Sequence, residues 1–281
     1  MSEPDRPGDS LAPARRVSVT RVIGEQVSGT LDFAATEEPL DVRLHGRSFA
    51  VIMRTPGRDR ELAAGFLLSE RVIRSPDDLG AVEHCRHPDQ KRAHHVVDVF
   101  LCGDAASRVP SLLEHRRQIV ANSSCGVCGR ATIEELAAEI EPLPPGQRVE
   151  LSIVRTLPDL LRPTQHTFDE TGGLHGAALF TASGALIEAA EDVGRHNAVD
   201  KLFGSLLLEP RAVPDVLVVS GRVSFEIVQK AWIGRVPIIV AVSAPTTLAI
   251  DLARDAGITL LGFVRGASLN IYSHADRIVG V

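Results

Sequence analysis

Three short runs, Asp215 to Val219, Val236 to Val242 and Ile258 to Val264, are apolar at nearly every position, and helix-like stretches separate them. A strand with one face in water alternates apolar and polar side chains, whereas a strand covered on both faces by helices does not. The pattern predicts an α/β layer in the C-terminal part of the chain. Upstream of it, Leu174 to Thr181 and Ala185 to Ala190 read as two strands joined at Ser183-Gly184. A helix after Asn197 then places Val199, Leu202, Phe203 and Leu206 on one face.

The region 17–117 reads as a smaller, mixed, strand-rich layer. Arg16 to Val22 alternates as a half-buried strand should, and Leu40 to Leu44 turns at His45-Gly46-Arg47 into Phe49 to Met53. Asp59 is expected to cap a helix carrying Leu62, Ala63, Phe66, Leu67 and Val72, and His95 to Leu101 reads as another strand. The fold class is therefore α/β, or α+β taken over the whole chain. Residues 1–16, with Pro4, Pro7 and Pro13 among polar neighbours, read as a disordered tail. Residues 118–147 hold a cysteine loop, a helix opened by the capping box Thr132 and Glu135, and the proline-rich linker Glu141 to Gln147. The last region, 148–281, opens with a helix from about Leu151 to Leu161 strained by Pro158.

In parallel α/β sheets, ligands bind beyond the carboxyl ends of the strands, where loop amides and helix N-termini collect anions. The first apolar run gives way to Ser220-Gly221-Arg222-Val223-Ser224, the second to Ser243-Ala244-Pro245-Thr246-Thr247, and the third to Arg265-Gly266-Ala267-Ser268. Each loop alone is explained by N-capping. Recurrence at three strand ends, with Arg222 and Arg265 added, points to a ligand carrying phosphates. No G-x-x-x-x-G-K-[ST] or G-x-G-x-x-G run is present, so loop ends without a glycine cradle must hold it. Two further clusters stand near. His175 in Gly172-Gly173-Leu174-His175-Gly176 either orients a substrate or is structural. Glu191 to Asn197 packs Arg195 and His196 between two acids and an amide, where helix capping is the plain explanation.

The other chemical feature is Ser124-Cys125-Gly126-Val127-Cys128-Gly129-Arg130. The thiolate is the reactive form of cysteine, and nearby positive charge and turned backbone amides favour it. Arg116, Arg117 and Arg130 bring such charge close in sequence. A lone Cys-x-x-Cys reads first as a disulfide or half of a structural zinc site, next as a redox pair, and last as a sulfur carrier. Cys85 and Cys102, with His84, His87, His94 and His95 nearby, match no common zinc module, and Cys102 at a strand end reads equally as a small buried residue.

Composition removes several classes. A net charge of −6 argues against a nucleic-acid footprint spread over the surface. Four cysteines in 281 residues make no disulfide framework, and no apolar run approaches a membrane span or a signal-peptide core. A cytoplasmic, thiol-reducing setting is the expectation.

The cysteine motif, Thr171-Gly172-Gly173-Leu174-His175-Gly176-Ala177-Ala178, Glu191 to Lys201, and Ser243-Ala244-Pro245-Thr246-Thr247-Leu248-Ala249 together resemble the FdhD family of formate dehydrogenase accessory sulfurtransferases. The resemblance runs from about Val17 to Val281. It implies a protein that accepts sulfur from a cysteine desulfurase as a persulfide. The sulfur then passes to the molybdenum cofactor, in its bis-molybdopterin guanine dinucleotide form, for formate dehydrogenase. It also implies a cytidine-deaminase-like C-terminal layer, a homodimer, and no tightly bound metal of the protein's own. The zinc-deaminase signature is absent, since Gly176 and Ala177 follow His175 and no proline precedes the Cys-x-x-Cys. By this resemblance Cys125 carries the persulfide with Cys128 as its partner, and the cofactor segment falls on Phe263, Val264, Arg265, Gly266, Ala267 and Ser268. The alternatives are a cofactor chaperone with a structural zinc site and a dithiol oxidoreductase.

Overall fold

The computed structural model describes residues 12–85, 94–115 and 141–281. The three apolar runs form β10 (Val216–Val219), β11 (Ile238–Ala241) and β12 (Thr259–Arg265), mutually parallel neighbours in a six-stranded sheet. The hairpin of β8 (His175–Phe180) and β9 (Leu186–Asp192) adds to one side antiparallel, and β13 (Ser268–Ser273) folds back along β12 on the other. The resulting order is β13-β12-β11-β10-β8-β9, and the short strands β7 (Val149–Glu150) and β14 (Ile278–Val279) form a separate parallel pair.

The apolar runs are continuous because each face has its own cover. Leu217, Val219, Ile239, Ala241 and Leu260 pack with α5 (Arg195–Leu208), α6 (Phe225–Ile233) and α7 (Thr247–Asp255) in one core. Val216, Val218, Ile238, Val240 and Leu261 face the other way and pack on Val154, Leu157 and Leu161 of α3 (Leu151–Leu161). Alternate side chains thus enter alternate cores, as period two requires.

The N-terminal region makes a second, four-stranded sheet of order β4-β3-β6-β5, from β3 (Glu38–Leu44), β4 (Arg47–Arg54), β5 (Leu79–His84) and β6 (Val96–Leu101). One face of it is covered by α1 (Asp59–Ser69), whose Leu62, Ala63 and Leu67 are fully buried. Helix α2 (Gly103–His115) follows β6. The other face of α1 lies on α5, so the two sheets share one continuous core. That crossing is close. A methyl group at Gly65 of α1 would overlap the backbone carbonyl of Asp200, and one at Gly204 of α5 would overlap that of Glu61.

Buried polar groups seal the same junction. Asp200, 2 % exposed, accepts from Lys230 Nζ at 2.6 and 2.8 Å and from Ser69 Oγ at 2.6 Å. Asp192 accepts from Lys201 Nζ at 2.7 Å, Asn197 Nδ2 at 2.8 Å and the Thr55 amide at 3.2 Å. Asn197 also donates to the Met53 carbonyl, and Lys201 to that of Thr55. Breaking one partner of such a pair strands a buried charge, so these groups act as locks between the layers.

Several expectations are corrected. Asp59 does not cap α1: Arg58 holds that place in a left-handed conformation, and Asp59 is spent on buried Arg54, Nε to Oδ1 at 2.9 Å. The first strand, β1 (Ala14–Ile23), is longer than the expected Arg16 to Val22 and pairs with β2 (Gln26–Ala35), a strand not among those expected. Cys102 is exposed rather than buried, and Cys85 is half-buried. Ser268 opens β13 opposite Arg265 instead of ending a loop. The helix expected from Thr132 lies outside the described residues.

Gly204→Ala should lower stability by about 3 kcal/mol or more, because neither backbone can retreat from a packed helix crossing. Gly29→Ala, where an added methyl meets nothing within 4 Å, serves as the control and should stay within about 0.5 kcal/mol in the same urea titration.

Candidate functional site

A cleft of about 730 Å³ opens at the carboxyl ends of the parallel strands. Its floor is Ser220, Gly221 and Arg222 after β10, Val242 and Ser243 after β11, and Val264, Arg265 and Gly266 at the end of β12. His175 at the start of β8 and Arg195 at the start of α5 close one side. Pro158, Asp159 and Leu161 of α3, with Arg162, Gln165 and Phe168 of α4 (His166–Thr171) and the turn before it, complete the lining.

Local bonds explain why these groups converge. The Ser220 hydroxyl accepts from the Gly176 amide at 3.0 Å while the Ser220 amide donates to the Gly176 carbonyl, fixing the β10 end beside His175. Gly221 has no side chain, and a Cβ there would stand 3.2 Å from His175 Nδ1. Glu191 accepts from the amides of Thr167 and Phe168 at 2.9 and 2.8 Å, tying α4 to β9 and setting Phe168 in the lining. The acids of the Glu191 to Lys201 stretch are therefore scaffold, and Arg195 is its contribution to the cleft.

The cleft is basic. Arg162, Arg195, Arg222 and Arg265 line it against one carboxylate, Asp159. Arg162 pairs with Asp169 and stacks over Phe168 at 4.9 Å, and Arg265 Nε donates to the Val242 carbonyl at 3.1 Å. Among the described residues, Arg195 and Arg222 enter no ion pair, and Arg195 Nε is buried without a partner. Two unspent guanidinium groups facing one cavity suit a phosphate or pyrophosphate, which accepts in the planar fork geometry they offer. Burial, and then the charge of Arg195, His196 and Arg222, hold the His175 pKa below its ordinary 6.5. His175 is thus a neutral imidazole lining a positive cleft.

The residues expected at the strand ends divide. Ser220, Gly221, Arg222, Ser243, Val264, Arg265, Gly266, His175 and Arg195 line the cleft. Phe263, Ala267, Ser268, Thr246, Thr247 and His196 do not. Thr246 is the N-cap of α7, its hydroxyl accepting from the Ala249 amide at 3.3 Å, so capping accounts for it. His196 Nε2 lies 2.5 Å from Glu226 Oε2 and 3.0 Å from Ser224 Oγ, tying α5 to the loop that bears Arg222. Phe263 sits 42 % exposed at a bulge with a φ of 53°. The α3 and α4 part of the lining had no signal in the sequence beyond Arg162 and Phe168 lying just after a strained helix. Cys125 and Cys128 lie outside the described residues.

Fold and cleft define an α/β protein with a basic binding site at the strand ends of a mixed sheet. The chain belongs to the FdhD/NarQ family, whose profile matches residues 35–279. It is 45% identical over 277 residues to a protein of Anaeromyxobacter dehalogenans named sulfur carrier protein FdhD, with 96% of each chain covered. A protein of the same name from Streptomyces coelicolor is 45% identical over 272 residues, covering 94% of this chain and 95% of that one. A crystal structure from Desulfotalea psychrophila, of a protein provisionally named as a formate dehydrogenase accessory protein, matches with a TM-score of 0.77. At 22% identity over 95% of this chain and 100% of that one, this likeness shows the shared fold. No helix among the described residues is long and apolar enough to cross a membrane.

Because its folded pKa is depressed, His175 takes up its proton less readily folded than unfolded. The stability this group supports is present above about pH 6.5 and declines as pH falls from there toward the folded pKa. In an NMR titration His175 should titrate below 6.5, and Arg222→Ala, which removes a nearby positive charge, should move its pKa upward.

Proposed function

We propose that this protein is a sulfur carrier that delivers persulfide sulfur from a cysteine desulfurase to the molybdenum cofactor of formate dehydrogenase. The observation that carries the reading is the cleft with its unspent Arg195 and Arg222, which suits the pyrophosphate of a guanine dinucleotide. Its volume fits a nucleotide-sized group, so the bis-molybdopterin guanine dinucleotide, here the substrate, enters by one nucleotide end with the rest outside. The relatives named sulfur carrier protein support the cargo.

In this mechanism the Cys125 thiolate attacks the outer sulfur of the desulfurase persulfide. The donor's S–S bond breaks, its thiolate leaves, and Cys125 keeps the outer sulfur. Cys128 thiolate then attacks the inner sulfur, forming a Cys125–Cys128 disulfide and releasing sulfide to the cofactor. A thiol reductant returns the two electrons that reset the pair. Arg195, Arg222 and Arg265 orient the phosphates, and neutral His175 can accept a hydrogen bond without adding to the charge there. The protein acts in the cytoplasm as a homodimer, as its family resemblance implies.

Intact-mass measurement after incubation with a cysteine desulfurase and cysteine should show a gain of about 32 Da that Cys125→Ala removes. A zinc-holding chaperone would instead carry metal that Cys125→Ala releases, and a dithiol oxidoreductase would cycle without gaining sulfur. Cys125→Ala should also abolish cofactor sulfuration yet bind guanine nucleotides normally, whereas Arg195→Ala or Arg222→Ala should weaken that binding about 10-fold or more. Undiminished mass gain and sulfuration by Cys125→Ala would overturn the carrier role.

A further inference from the structure

Arg195 and Arg222 reach the cleft from different elements, one opening α5 and the other on the loop between β10 and α6. Two guanidinium groups grip a two-phosphate anion well only when the distance between them is held. Backbone bonds fix the Arg222 loop on its sheet side. The Val223 amide donates to the Ala244 carbonyl at 3.1 Å, and the Thr246 amide donates to the Val223 carbonyl at 3.0 Å. Neither bond reaches α5.

The tie to α5 is made by side chains. His196, the residue after Arg195, brings Nε2 to 2.5 Å from Glu226 Oε2 and 3.0 Å from Ser224 Oγ. Ser224 is the N-cap residue of α6 and would ordinarily bond an amide of its own first turn, yet its hydroxyl makes no capping bond. Glu226 lies in that first turn, where a glutamate usually stays in water beside the helix dipole, and here it is 9 % exposed. Both residues give up their usual local role to face one imidazole nitrogen on a different helix. A carboxylate can only accept, so Nε2 carries the hydrogen, and with both side chains largely buried water competes little for the bond. The same loop also lies against Arg195, since a Cβ at Gly221 would stand 3.9 Å from Arg195 Cβ. Any shift of α6 along α5 therefore changes the separation of the two guanidinium groups.

We propose that His196 and Glu226 are positioning residues that fix the spacing of Arg195 and Arg222, and with it the preference of the cleft for a diphosphate over a single phosphate. The inference rests on the reading of the cleft as a phosphate site and adds the pair that sets its span. Neither residue lines the cleft, so the effect is carried through the arginines. A single phosphate is held by either guanidinium and does not sense their separation, whereas pyrophosphate engages both.

The test is calorimetric binding of inorganic pyrophosphate and orthophosphate to the full chain. In His196→Gln the amide nitrogen reaches about as far as Nε2 and can still donate to Glu226, but in His196→Asn, one carbon shorter, it cannot. His196→Asn and Glu226→Ala should each lose about 10-fold in pyrophosphate affinity, with orthophosphate affinity within about twofold of wild type. His196→Gln should keep pyrophosphate affinity within about threefold, and the double variant should lose no more than either single one, because both break the same contact. Should Glu226→Ala fail to fold, Glu226→Gln, which keeps an acceptor but not the charge, replaces it with an expected loss of about threefold. Unchanged pyrophosphate affinity in His196→Asn, or equal losses for both anions in all variants, would overturn the positioning role and leave the phosphate site standing. If wild-type protein binds neither anion, the phosphate reading of the cleft falls first and takes this one with it.

Discussion

The backbone-to-backbone crossing of α1 and α5 is the contact on which the rest of the molecule rests. Gly65 and Gly204 allow the two helices to meet without intervening side chains. Around that crossing the four-stranded and six-stranded sheets bury one shared core. Such an approach gains dispersion contacts over the full width of both helices, but it tolerates no added volume. Asp200 with Lys230 and Ser69, and Asp192 with Lys201 and Asn197, then fix the register, since any slip would leave a buried charge unpaired.

The cleft inherits its geometry from that junction. Arg195 is the first residue of the helix that α1 pins, and Glu191, just before it, holds α4 through two amides. One short stretch of chain therefore anchors the scaffold through its acids and lysine and supplies a guanidinium to the binding site. His196, paired to Glu226 on α6, carries the same rigidity to the loop bearing Arg222. Groups that must act together on one ligand are held by elements that cannot move independently, which is what preorganised recognition requires.

Charge in the cleft is arranged by subtraction. Arg162 is neutralised by Asp169, and Arg265 is partly engaged by a backbone carbonyl, leaving Arg195 and Arg222 as the open groups. The burial of His175, and then their positive charge, keep that imidazole neutral, so the site offers a hydrogen-bonding group without another charge. A site of this kind attracts a phosphate while its imidazole stays an uncharged hydrogen-bonding group.

The sequence alone determined the α/β layer, because unbroken apolar runs have few other solutions, and it determined that Arg222, Arg265, Ser220 and Ser243 stand at strand ends. It also carried family membership, through motifs whose order along the chain is itself informative. Tertiary structure decided which of those residues share a cavity. Thr246 and Ser268 have the same local chemistry as Ser220 and Ser243, yet one is spent on a helix cap and the other opens a strand. It also decided that Asp192 and Asp200 are buried locks and that Asp159, Arg162 and Phe168 join the cleft lining. Hydroxyls, acids and arginines are multivalent in what they can bond, so their role is set by the partner that packing places within reach, and that partner is usually distant in sequence.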